Sequence, residues 1–175
     1  LAALLGGSSQ TSYLAQQLTL PGTALWAGAS YDGLSLDRTE FMLSLVPAEG
    51  TPPEEAEAAL DEALAQFLAE GPDEADLERV KTRIRAEEIY SRDSAHGRAY
   101  DYGQGLSTSL TVQDVNDWPD ILDAVTAEDV MAAARDVLQA PAVTGWLLPA
   151  PAEAAAAATQ EPAPATPDEQ TEVQG

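Results

Sequence analysis

Cysteine is absent from this 175-residue chain, histidine occurs once, and only eight residues are Lys or Arg. Without cysteine there is no disulfide and no thiolate metal site, and redox chemistry does not reveal the compartment. A zinc site needs three or four ligands drawn from His, Cys, Asp and Glu in close range. The lone His96 has Asp93 three residues before it and Asp101 five after it. That is an ordinary helix-surface neighbourhood, so His96 reads as structural, and no metal is expected to bind this chain. The shortage of positive charge is as restrictive. Against the eight basic residues stand 30 acidic ones, a formal charge of −22. Nucleic acid and anionic membrane surfaces both need Lys and Arg to neutralise phosphate, so neither is an expected partner. No apolar run is long enough to span a bilayer, and membrane insertion is not expected.

Patterns for self-contained chemistry are also missing. Ser8 and Ser9 follow Gly6-Gly7, but no G-x-S-x-G nucleophile elbow surrounds them. The same glycines lead into no G-x-x-x-x-G-K phosphate loop. Glu87 and Glu88 are adjacent, so on a helix they point to different faces and form no acid/base pair. Trp26, Trp118 and Trp146 read as packing residues. The chain offers no active site of its own, and no catalytic residue is assigned.

What is present is a real core and a clear order of elements. Hydrophobic residues make up 45% of the sequence. The chain opens on an apolar helix end, Leu1 to Leu5, and reads as a piece of a longer protein. No basic segment precedes this run, and the Gly-Gly-Ser-Ser after it fits a helix stop better than a signal peptide. Gly6-Gly7 can adopt positive φ, and Ser8 or Ser9 can cap a helix over Gln10 to Leu18. Pro21-Gly22 ends that helix. A strand over Ala24 to Tyr31 follows. It places Leu25, Ala27, Ala29 and Tyr31 on one face and Trp26, Gly28 and Ser30 on the other. A turn-rich linker, Asp32 to Arg38, leads to a second strand over Thr39 to Val46, which suggests an antiparallel hairpin. Both faces are fairly apolar, so helices should cover at least one of them.

Downstream the pattern is helical. Thr51 as cap, Pro52 in the first turn and Glu54 as capping-box partner predict a helix running to Glu70, with Leu60, Leu64, Phe67 and Leu68 inward. Asp73 starts another, with Leu77, Val80, Ile84 and Ile89 as its stripe and its Lys and Arg residues on a solvated face. A glycine-weakened helix is expected from Ser94 to Ser109. Thr111 and Asp114 begin a segment leading to Trp118, with Pro119 opening a new short one. Thr126 to Asp129 opens a helix with Val130, Ala133, Ala134, Val137 and Leu138 inward. Val143 to Leu148 reads as a last strand. The fold class is therefore α+β: an antiparallel sheet covered by helices, over residues 1–149. From Ala150 to Gly175 the composition is almost wholly Ala, Pro, Glu, Gln and Thr, and this tail is expected to be disordered. Five of the 30 acidic residues lie there, leaving the first 149 residues with 25 against eight basic ones, a balance of −17. Such an excess reads first as a solvated, soluble surface.

The order of elements carries a resemblance. The opening Leu4-Leu5-Gly6-Gly7-Ser8-Ser9 and the strand segment Gly28-Ala29-Ser30-Tyr31 come first. The run Leu68-Ala69-Glu70-Gly71-Pro72-Asp73-Glu74-Ala75-Asp76-Leu77 follows. Further on stand Ile121-Leu122-Asp123-Ala124-Val125-Thr126-Ala127-Glu128-Asp129-Val130 and the closing Thr144-Gly145-Trp146-Leu147-Leu148-Pro149. Together these resemble the C-terminal part of insulinase-like zinc peptidases, the pitrilysin and processing-peptidase family, over residues 1–149. The resemblance implies homologous α+β domains that close like a clamshell around an unfolded peptide. It implies zinc held in the other half by an inverted His-x-x-Glu-His motif, which this chain lacks. The partners it implies are a homologous zinc-bearing domain or subunit and a peptide substrate. It also implies a cell-envelope or periplasmic location, which nothing else in the sequence indicates.

In that family the C-terminal half supplies a substrate-contacting Arg and Tyr from a segment resembling Leu-Arg-x-x-x-x-Leu-x-Tyr. Leu18 to Trp26 is the matching segment here. Thr19 stands where the Arg is expected, and Trp26 is the aromatic nearest the Tyr position. Thr19, Trp26 and Tyr31 are thus the substrate-contact candidates. The function implied is a non-catalytic part of a zinc peptidase that helps enclose peptide. The alternative is a binding or scaffold module that kept the fold without the chemistry. Trp26 and Tyr31 could line a chamber wall or lie in the core under the helices.

Overall fold

The computed structural model describes residues 1–148. The tail expected over 150–175 lies outside the described residues. One compact unit runs from Leu1 to Ala142. Its elements are helix α1 (Ala2–Gly6), a π turn (Ala15–Thr19), strands β1 (Ala24–Tyr31) and β2 (Phe41–Pro47), and helices α2 (Pro53–Glu70), α3 (Glu74–Asp93), α4 (Ala95–Ser107), α5 (Val112–Ala124) and α6 (Ala127–Leu138). The architecture is α+β, with a two-stranded antiparallel sheet and helices against one face.

The hairpin sets the layers. Ala27 pairs with Leu45, Ala29 with Leu43 and Tyr31 with Phe41 on one face; Trp26 pairs with Val46, Gly28 with Ser44 and Ser30 with Met42 on the other. The first face is covered. Ala24 and Ala27 belong to the buried core, with Ala29, Phe41, Leu43 and Leu45 packed against it. That core takes Leu4 and Leu5 from α1, Leu14 and Leu18 around the π turn, Ala63 and Phe67 from α2, Leu77 from α3, and Val130 and Ala134 from α6. Alanines in β1 keep this face low, so helices can come close. Gly6 shows how close: a Cβ there would lie 1.9 Å from the Ala29 nitrogen. Gly7 has φ −73°, so the glycine pair serves the approach of α1 to β1 and not the left-handed conformation expected from sequence.

The strand alternation breaks at one place. Ala24 pairs with Pro47 and Trp26 with Val46, so Leu25 is an extra residue in β1, a bulge. The bulge turns Leu25 out to solvent instead of placing it beside Ala27. Strand β2 begins at Phe41, after a loop in which Asp32 Oδ1 accepts from the Leu34 N–H at 3.1 Å. Ser8 does cap, but over the Gln10–Thr11 turn, accepting from the Thr11 N–H at 3.2 Å. The expected Gln10–Leu18 helix is confined to a short turn. Its end is widened, with the Leu20 N–H bonding the Ala15 carbonyl at 2.9 Å, five residues back.

Helix α2 starts one residue later than the capping box predicts. Pro52 is the cap position and no side chain caps it. Pro53 explains the shift: a residue before proline is pushed to extended backbone, so Pro52 cannot be the first helical residue. Gly71, at φ 80°, ends α2 with its N–H on the Phe67 carbonyl. Tyr13 donates to the Ala63 carbonyl at 3.1 Å and meets Phe67 edge-on at 5.1 Å, tying the first turn to α2.

Asp73 caps α3 through the Ala75 and Asp76 N–H groups. The buried stripe departs from expectation: Lys81 is buried, whereas Ile89 is exposed. On a helix Lys81 lies four residues after Leu77 and shares its face, while Ile89 falls off that line. Lys81 keeps its charge satisfied with Glu78 and the Asp123 carbonyl, both at 3.2 Å. Ser94 breaks α3 from α4 with extended backbone and caps α4. Helix α5 runs through Pro119, which sequence had placed at the start of a new segment. Thr111 and Thr126 form full capping boxes with Asp114 and Asp129. In α6, Ala133 is exposed and Met131 packs on the core in its place. Residues 143–148 form no strand among the described residues, because strand character needs a paired neighbour and the sheet stops at two strands.

Candidate peptide-binding face

The uncovered side of the hairpin is the site candidate. Trp26 is 43% exposed, Val46 46% and Met42 52%, in a row with Ser30 and Ser44. Gly28 makes the row possible, because the Trp26 indole lies along the strand over it. A Cβ at Gly28 would sit 2.5 Å from Trp26 Cζ2. The indole is thereby held flat against the sheet while its outer surface meets solvent. Neither strand has a second neighbour among the described residues, so each also presents an unpaired edge. Unpaired backbone N–H and C=O groups form a template for a further extended chain.

Tyr31 lies at the far end of β1, 58% exposed, with its ring 6.4 Å from Phe41 on the covered side. Five residues of strand put it about 17 Å from Trp26. An open hollow of about 540 Å³ adjoins it, bounded by Ser30, Asp32, Arg38, Glu40 and Met42. Thr19 is different again. It ends the π turn, half-buried, and its Oγ1 is enclosed with no hydrogen-bond partner among the described residues. The three sequence candidates therefore do not converge on one point. Trp26 is on the open face, Tyr31 at the sheet's end, and Thr19 on the turn whose Leu18 enters the core. Met42 and Val46 belong to the open face and were missed. Their signal was present in the alternation of β2, where they share a face with Ser44.

Comparison with known proteins finds the fold. No family model and no curated protein matches the sequence. Solved structures do. A protein of Bordetella pertussis Tohama I named as a zinc protease superposes with a TM-score of 0.65 at 14% identity, covering 76% of this chain and 72% of that one. The peptidase M16 inactive domain from Pseudomonas fluorescens gives 0.62 at 20% identity. A Helicobacter pylori protease gives 0.62 at 22%. The chain shares the fold of these three structures. This chain spans about a third of the last two structures, 32% and 33% of their length, while 78% of it is covered in each.

The described residues do not suit a zinc ion. No group of three or more His, Asp or Glu among the described residues could hold a metal. His96 is exposed on α4, and Asp101 accepts from the Ser91 hydroxyl at 3.0 Å. No helix of the described residues is long and apolar enough to cross a membrane.

Proposed function

We propose that residues 1–149 form a non-catalytic part of an insulinase-like zinc peptidase, and that the open side of the β1–β2 hairpin is a wall against which an extended peptide lies. The zinc and its ligands belong to a homologous partner domain or subunit. The observation that carries this reading is the asymmetry of the hairpin. One face is packed under helices, whereas the other keeps Trp26, Met42 and Val46 at the surface beside unpaired strand edges. Strand addition fits such a surface, because main-chain hydrogen bonds supply affinity for many sequences and the apolar row selects among side chains. It also tolerates the absence of Arg at position 19 and Tyr at position 26, which would weaken orientation without removing the backbone contacts.

The test is hydrogen exchange read by NMR, with a short unstructured peptide titrated into the chain. The expected result is saturable protection of β1 or β2 amides with shifts centred on Trp26, Met42 and Val46, and no cleavage by this chain even with zinc added. Shifts spread over the helices with the strands unchanged would overturn it. Activity that appears only when a zinc-bearing homologous domain is added separates the peptidase part from a scaffold module, which would bind peptide with no such dependence.

A further inference from the structure

Two of the eight basic residues in this acidic chain converge on one niche. The niche lies between α1, the turn after it and α3, encloses about 100 Å³, and is lined by Ala3 and Leu4 at its base with Ser8, Thr11 and Ser12 on one wall. Arg79 and Arg83, one helical turn apart on α3, form the other wall. Both guanidinium groups are already positioned. Arg79 Nη2 donates to the Thr11 carbonyl at 2.8 Å and Nη1 to Asp76 at 2.6 Å. Arg83 Nη1 donates to the Gly7 carbonyl at 3.3 Å and lies 3.5 Å from Glu87. These bonds fix the two forks yet use only part of their capacity, since each guanidinium carries five N–H donors. Arg83 Nη2 has no partner among the described residues, and it stands close over Gly7, 2.9 Å from where a Cβ would be. A side chain at position 7 would displace it.

We propose that this niche binds a small oxyanion, a phosphate or carboxylate group, between the Arg79 and Arg83 guanidinium groups and the Ser8 hydroxyl. The Ser8 oxygen accepts from the Thr11 N–H and hydroxyl, which leaves its own proton free to donate. The fork geometry of Arg matches two oxygens of one oxyanion, and charge-assisted bonds of this kind are about twice as strong as neutral ones. The volume admits a group of a few heavy atoms, not a nucleotide. From 68 and 76 residues away in sequence, the carbonyls of Thr11 and Gly7 already bring the turn to Arg79 and Arg83, so a bound oxyanion would tie α1 to α3 more firmly. This inference is independent of the peptidase reading.

The test is NMR titration of the full chain with inorganic phosphate and, separately, with acetate, against sodium chloride at matched ionic strength. The expected result is saturable shifts confined to the Gly7–Ser12 amides and the Arg79 and Arg83 side-chain N–H groups with at least one of the two oxyanions. Arg83→Gln should weaken that binding about tenfold, and Arg83→Lys nearly as much, since it keeps the charge and loses the fork. Arg98→Gln, outside the niche, should leave it unchanged. Arg83 is chosen because its tie to Gly7 is long and exposed, so its loss spares the fold. A response equal to that of chloride, or non-saturating shifts, would mean an adventitious ion only and overturn the proposal. So would full affinity in folded Arg83→Gln.

Discussion

The two faces of the β1–β2 hairpin are made from alternate residues of the same two strands, yet one is packed under helices and the other is exposed. The covered face uses Ala27 and Ala29 in β1 against Leu43 and Leu45 in β2, so α1 and the π turn can approach until backbone nearly touches backbone at Gly6 and Ala29. The open face reverses the arrangement. It has one large residue in β1, Trp26, laid over a glycine, with Met42 and Val46 beside it and no helix above among the described residues. Hydrophobic content does not separate the faces; height above the sheet does. A low face is one that helices can close, and a face carrying a flat indole is one they leave open.

The largest expected effect tests the covered side. Phe67 is 1% exposed, in contact with Tyr13 and the core. Phe67→Ala should cost about 3–5 kcal/mol in denaturant unfolding. A loss near zero would mean that the covered face is not where the stability resides. Next comes the close approach itself. Gly6→Ala places a methyl 1.9 Å from the Ala29 nitrogen and 2.4 Å from the Gly28 carbonyl carbon, both backbone atoms that cannot rotate away. It should cost about 1–3 kcal/mol, as overpacking does. An unchanged melting midpoint would show that α1 does not sit on β1.

A smaller effect concerns α6, which delivers Val130 and Ala134 to the covered side. The Thr126 hydroxyl, and then its backbone N–H, hold the Asp129 carboxyl below its ordinary value. The same holds for Asp114 with Thr111 on α5. Because these values are lowered by folding, their contribution is complete above about pH 4, near the unfolded value, and is lost as pH falls through the lowered ones. Asp129→Asn should therefore flatten the acid limb of a stability–pH curve below about pH 4. An unaltered acid limb in that variant would contradict the capping geometry.

Much of this was legible in the sequence, and the failures have physical causes. The range of β1, the caps at Asp73, Thr111 and Thr126, and the end of α2 at Gly71 follow from local chemistry, and local chemistry is written in neighbouring residues. The α2 start moved because Pro53 acts backwards on Pro52. Leu25 turned out because a bulge depends on the partner strand, which alternation alone does not encode. Lys81 reads as solvated in the sequence because Glu78, one turn away on α3, suggests a surface pair, whereas the Asp123 carbonyl meets it only once α3 and α5 pack. Pro119 was read as a boundary, but its neighbours on both sides hold α5 together across it. The site was the least legible. Thr19, Trp26 and Tyr31 came from a family segment, and the fold sends them to three different places. The open face emerges only after the helices have chosen their side.

The most direct measurement is Trp26→Ala, followed for stability and peptide binding in the same samples. The account predicts a folded variant that loses no more than about 2 kcal/mol, less than a buried aromatic would. It also predicts peptide binding weakened about tenfold, because exposed aromatics at a binding surface act as anchors. A loss of stability equal to that of Phe67→Ala would place Trp26 in the core. Unchanged binding by the folded variant would contradict the claim that the open face of the hairpin receives the peptide.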